Sequence, residues 1–147
     1  MPRPRSQKPA SAFAQAEYES LAEFRYQIAR FLRRRNDAAR AEGLQSQHYE
    51  LMLAVSGLPR DQQPTIKEMA ARLRLEHHAV VELADRLEKR KPLARRAAPA
   101  DKRVVLLQLL PKGRAVLNRI VAYSFWQLRE EAPALIRALR RILRKSS

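Results

Sequence analysis

Four side chains close together in this 147-residue chain are of the types that read a base edge: His77, His78, Val81 and Glu82. An imidazole donates to guanine or phosphate oxygens, a valine packs on a thymine methyl, and a carboxylate accepts from cytosine N4. Each also has a plainer use. The histidines would equally pack on a preceding helix, and Glu82, which phosphates repel, would orient a neighbouring arginine. A dense run of cations follows. Arg86, Lys89, Arg90, Lys91, Arg95, Arg96, Lys102 and Arg103 stand against only Glu88 and Asp101. Such cations position a protein on a phosphate backbone, and a narrow minor groove concentrates negative potential that favours arginine. Arg95 and Arg96 would alternate faces of a strand, so at most one of them reaches a polyanion. Thr65 and Arg86 complete the candidate contact set.

Catalytic and metal chemistry have no comparable footing. His77 and His78 are adjacent and diverge around a helix, unlike the i, i+4 pair of a zinc site, and His48 stands alone. Three glycines in the whole chain do not build a nucleotide cradle, and no Ser/His/Asp spacing supports a nucleophile. Cysteine is absent, which excludes disulfides, thiol redox sensing and Cys-based zinc. The sequence therefore points to no enzyme activity, no catalytic residue, no cofactor and no metal.

The elements that must hold these side chains are legible on either side of them. Thr65-Ile66-Lys67-Glu68 follows Pro64 and is a capping box that opens a short helix carrying Ile66, Met69, Ala70 and Leu73. Arg74-Leu75-Glu76 leaves room for a tight turn. A second helix over His77–Leu87 has Val80, Leu83, Ala84 and Leu87 as its inner face, which turns the four candidate readers outward. A second helix in this place is the one that enters a DNA major groove in helix-turn-helix proteins. Lys91-Pro92 stops it. Leu93–Arg96 is then a short strand, 97–101 a turn, and Arg103–Leu110 an apolar strand.

Flanking this module are long helices. Glu17–Ala41 carries Leu21, Phe24, Ile28, Phe31 and Leu32 at helical spacing, with Gly43 as a C-cap. Gln45–Ser56 is a shorter helix. Pro111 starts another, with Pro133 marking a break or kink before a last helix bearing Leu135, Ile136, Leu139, Ile142 and Leu143. The terminal helices have more apolar stripe than a small winged module needs, which suggests pairing with a second copy. The fold class expected is mainly α with a small β-hairpin wing: a winged helix-turn-helix with terminal helices forming a dimerisation domain. Residues 17–43 and 111–145 are the dimerisation helices, 44–110 the winged helix lobe, and 1–13 a flexible basic arm.

Charge fits that reading. Thirty Lys+Arg against fifteen Asp+Glu give +15, while 46% hydrophobic residues suffice for a buried core. A folded domain this basic meets a polyanion, either nucleic acid or an anionic membrane. No apolar run approaches the roughly 20 residues that span a bilayer, and the N-terminus lacks the apolar segment of a secretory signal. The expected setting is the cytoplasm, associated with the nucleoid, with no membrane partner.

Leu83-Ala84-Asp85-Arg86-Leu87-Glu88-Lys89-Arg90, then Arg95-Arg96, Asp101-Lys102-Arg103 and Leu109-Leu110-Pro111-Lys112-Gly113, match a known pattern in order and spacing. They resemble the MarR (multiple antibiotic resistance regulator) transcription factors, over roughly Glu17 to Leu143. That family shows L-V-D-R-L-E-x-x-G-L-V, an R-R pair, a D-x-R in the wing, and L-T-x-x-G. Two departures stand out. Lys91-Pro92 replaces the usual Gly-Leu, so the turn into the wing is expected to be built differently and the first strand to be shorter. Leu110 replaces the usual Thr and loses a helix cap. The resemblance implies a homodimer on a pseudo-palindromic DNA operator, usually a repressor released by a small aromatic acid. It also implies that Asp101 orients Arg103 for the minor groove, with Lys102 on phosphate.

Other readings of the same residues remain open at this point. A nucleoid-type architectural protein would bind through charge alone, with little sequence preference and a steep salt dependence. A protein-interaction module would keep the fold without the DNA contacts, against which the intact Asp101-Lys102-Arg103 argues. Tyr18, Tyr26, Phe31, Arg33, Arg34, His48 and Tyr49 are candidates to line a pocket for a small aromatic or anionic effector, although aromatics at helical spacing are more often plain core.

Overall fold

The computed structural model describes residues 12–144. In chain order the elements are α1 (Gln15–Ala41), α2 (Ser46–Ser56), α3 (Ile66–Leu73), α4 (His77–Lys89), β1 (Leu93–Ala97), β2 (Val105–Leu109) and α5 (Pro111–Arg144). By contact the chain divides into two compact units, Arg35–Ser124 and a second one built from residues on either side of it.

Unit Arg35–Ser124 is a winged helix-turn-helix. Its core is Leu51 and Met52 of α2, Met69 of α3, the Val80, Leu83, Ala84 and Leu87 face of α4, Leu93 and Leu107 of the hairpin, and Ile120 of α5. The inner face expected of α4 is thus the one that is buried. The ends of α1 and α5 also belong here: Ala39, Leu117 and Ile120 lie in this core. The division falls inside both helices, because the short α2, α3 and α4 need longer elements to close their apolar face.

Local stops follow the chemistry of each turn. Gly43 (φ 79) ends α1, with its amide on the Arg40 carbonyl at 2.9 Å and the Leu44 amide on Ala39 at 2.9 Å, a Schellman arrangement. α3 begins as the capping box requires, with Thr65 Oγ1 accepting from the Glu68 amide at 3.1 Å. The reciprocal half does not form. The Thr65 amide donates to Gln63 O at 2.8 Å, and the Glu68 carboxylate turns to Arg72 at 3.1 Å.

The wing strands pair antiparallel, Leu93 with Leu109 through Ala97 with Val105. Its edge is tied to the front of α3: Leu107 N donates to Pro64 O at 2.8 Å and Thr65 bridges Leu106. At the wing's root, Lys91 takes φ 68, the left-handed conformation that the usual glycine would supply. At Lys91-Pro92 the turn thus has its left-handed residue without a glycine, and β1 follows over Leu93–Ala97. Beneath it Pro92 O accepts from Leu110 N at 2.9 Å and lies against Gly113.

α5 is one helix from Pro111 to Arg144, with Pro133 inside it, and not the two helices that the proline suggested. Pro133 and Arg129, whose carbonyl loses its amide, are both exposed, so solvent satisfies what the ring removes.

In the other unit, Gln127 is fully buried and donates to Phe31 O at 3.3 Å and to Glu131 Oε2 at 3.1 Å. Arg34 pairs with Glu131 and lies over the Trp126 ring at 5.9 Å. Large apolar side chains stand exposed on this unit, among them Tyr18, Leu21, Tyr26, Phe125, Trp126 and Leu143. The expected basic arm falls almost entirely outside the described residues. No described helix is long and apolar enough to cross a membrane.

Candidate nucleic-acid interface

The turn between α3 and α4 is set by Arg74, which takes the left-handed conformation (φ 54) after α3, with the Leu75 amide on Ala70 O at 3.0 Å. α4 then starts behind Glu76, which is extended and makes no side-chain cap. Since an uncapped helix start leaves its first amides free to donate outward, His77 and His78 present both imidazole and backbone N–H at this end. His77, His78 and Glu82 are exposed and Val81 half-buried, and among the described residues none of these side chains has a hydrogen-bond partner. Burial of the opposite face therefore delivers the four expected readers together on one exposed surface.

Arg95 has a different job from the one the sequence suggested. It is half-buried, with Nη2 2.7 Å from Asp85 and Nη1 3.2 Å from Glu88, and it donates to Val81 O at 3.4 Å. The two carboxylates stabilise its charge against the cost of burial. Arg95 thus fastens β1 to α4. Arg96, its neighbour, faces the other way and is exposed. Asp85 and Glu88 are the residues that the sequence reading missed here. Their i, i+3 spacing on one face of α4 was the available signal.

At the wing tip Asp101 closes the turn and holds Arg103. Its Oδ1 accepts from the Arg103 amide at 3.1 Å and from Nε at 3.2 Å, and Oδ2 from Nη2 at 3.4 Å. Val104 N donates to Asp101 O at 3.0 Å and Ala98 N to Val104 O at 2.9 Å. The Arg103 guanidinium, followed by the Arg103 amide, keeps the Asp101 carboxyl below the usual carboxylate range. Arg103 is 91% exposed in its side chain, so Asp101 fixes its direction without covering it. Arg86 and Lys102 are exposed beside these elements. Thr65 is half-buried; its hydroxyl oxygen accepts in the α3 cap, and its O–H is still able to donate.

The candidates for an effector pocket separate. Tyr18, Tyr26, Phe31, Arg33 and Arg34 belong to one unit, and His48 and Tyr49 are buried in the other. Tyr49 lies under Arg35 at 5.3 Å. No group of three or more His, Cys, Asp or Glu among the described residues is arranged to hold a metal ion.

Comparison with known proteins agrees with this geometry. The MarR family model matches residues 42–104. An uncharacterised HTH-type transcriptional regulator of Bacillus subtilis (strain 168), YsmB, is 32% identical over 66 residues, 45% of each chain. The match thus spans less than half the length of that relative. Two solved structures share the fold. CouR from Rhodococcus jostii RHA1, bound to p-coumaroyl-CoA, superposes with a TM-score of 0.70 at 20% identity, over 88% of this chain and 93% of that one. A MepR variant from S. aureus, bound to an oligodeoxyribonucleotide, gives 0.66 at 16% identity, over 88% and 98%. Over the winged helix-turn-helix of residues 42–104, the chain is similar to the MarR family.

Proposed function

We propose that the chain is a dimeric, sequence-specific DNA-binding transcriptional regulator, a repressor released by a small aromatic or anionic ligand. α4 enters the major groove with His77, His78, Val81 and Glu82 toward the bases. Thr65, Arg86, Arg96 and Lys102 meet phosphates, and Arg103 enters the flanking minor groove. Arg95 leaves the contact set and instead fixes the wing to α4. The observation that carries this reading is the wing tip, where Asp101 aims an almost fully exposed arginine; such an arginine suits a narrow minor groove. A second copy would cover the exposed apolar side chains of the terminal unit, and two copies would place two reading helices on a pseudo-palindrome. The oligodeoxyribonucleotide on MepR and the aromatic thioester on CouR support DNA and a ligand as partners. The site of action is the cytoplasm, at the nucleoid.

The net charge of +15 also favours a second reading, an architectural protein that holds DNA by charge alone. Fluorescence anisotropy separates the two, using the duplex upstream of the chain's own gene against a scrambled one at about 150 mM salt. Sequence reading predicts a preference of ~10³-fold or more. Equal affinities for all genomic duplexes, with a log–log salt slope near −0.9 per phosphate contact, would overturn it in favour of the architectural role.

A further inference from the structure

One titratable group in the core of the winged helix-turn-helix is left without any contact that explains it. His48 on α2 is 2% exposed, and neither Nδ1 nor Nε2 has a hydrogen-bond partner among the described residues. A neutral imidazole carries one donor and one acceptor, so both kinds of group are buried unmatched, which native cores seldom keep without a reason. α2 packs on α3, α4 and β2. The charges acting on the ring are Arg90, just past the end of α4, and Arg86 of α4, and neither is negative. β2 has no ionisable side chain. On α3, Glu68 and Arg72 pair with each other and Lys67 is exposed. Arg90 is held in place, donating to Gly43 O at 3.3 Å, while Lys112 Nζ donates to the Arg90 carbonyl at 3.3 Å.

We propose that His48 is an acid sensor built into the α2–α4 contact: neutral, it lets α2 close on α4, and on taking a proton it must leave the core and the closed unit gives way. The inference stands apart from the proposed function, since its test uses no nucleic acid. Should α4 read DNA, acidification would then withdraw the reading helix from its support.

The sign follows from where the proton goes. Burial, and then Arg90 and Arg86, hold the ring below the usual imidazole range in the closed unit. In the opened or unfolded chain it titrates near about 6.5. Stability from this residue is therefore complete above about pH 6.5 and is lost as the pH falls below it, because only the open chain binds the proton. One pH unit lower, the open-to-closed ratio stands about tenfold above its value at high pH. Glu42 and Asp101, held low by Arg119 and Arg103, titrate only in more acid solution.

Urea unfolding of the full chain at pH 7.5 and 5.5 tests this, comparing wild type with His48→Leu and following the histidine rings by NMR. The unfolding constant of the wild type should rise about tenfold more between the two pH values than that of His48→Leu. The His48 ring should stay neutral at pH 5.5 in the folded chain. An equal pH dependence in both proteins, or a His48 ring that titrates near 6.5 in the folded state, would overturn the proposal. Should His48→Leu not fold, the ring titration of the wild type decides alone.

Discussion

Adding a single methyl group at Gly113 tests how the wing is seated. In a helix, glycine to alanine should stabilise by about 0.5–1 kcal/mol, because alanine loses less backbone freedom on folding. The structure reverses that sign. A Cβ at 113 would lie 2.2 Å from Pro92 O, 2.9 Å from Pro92 C and 3.0 Å from Leu109 Cδ1. The first two are backbone atoms, and Pro92 O already accepts from Leu110 N at 2.9 Å, so relief requires moving the root of β1 and weakening that bond. Overpacking of this kind costs about 1–3 kcal/mol, and a compromised hydrogen bond about 1 more. Offset by the helix-propensity gain, Gly113→Ala should destabilise by about 1–3 kcal/mol. For a chain of this size that is a fall of very roughly 3–10 °C in Tm, read by thermal circular dichroism. A variant equal to or more stable than wild type would refute the close approach of Pro92 to α5.

The other predictions test the strain, the brace and the tip. Lys91→Gly places glycine where φ is 68 and should stabilise by about 1 kcal/mol in urea unfolding; a loss would mean that the Lys91 side chain makes up for the strain. Arg95→Ala should reduce stability by about 1 kcal/mol and operator affinity about tenfold, with Arg95→Lys failing to restore the fork to Asp85 and Glu88; full affinity in the alanine variant would remove the brace from the reading mechanism. Arg103→Ala should weaken operator binding at least ~30-fold (about 2 kcal/mol) in anisotropy and leave Tm nearly unchanged, since its side chain is 91% exposed; unchanged binding would take the wing tip out of the mechanism.

Local chemistry made much of this molecule readable in advance. The 3.6-residue spacing of Val80, Leu83, Ala84 and Leu87 placed the buried face of α4, and with it the exposed one. Thr65 before Ile66 placed the start of α3. What local pattern did not carry was competition between partners. Glu68 looked committed to the Thr65 amide, yet Gln63 O already takes that donor. Arg95 looked like one of eight surface cations, yet two carboxylates on α4 claim it. Lys91 looked unable to replace a glycine, yet it takes the left-handed conformation itself, at φ 68. Pro133 looked like a stop, yet exposure lets the helix run through it. Each case depends on a neighbour or an environment that periodicity does not show.

The two faces of α4 bear unequal constraints. Val80, Leu83, Ala84 and Leu87 are locked into the core, whereas His77, His78 and Glu82 touch nothing that holds the fold together. Exchange at those three exposed positions leaves the interior intact, so variation there is close to neutral for folding and, under the proposed function, free to change what the helix reads. The wing root is the reverse, since Pro92, Leu110 and Gly113 interlock through backbone atoms. Over evolutionary time, then, a lineage of such chains can drift in preference at one end of α4 while the seat at its other end stays fixed.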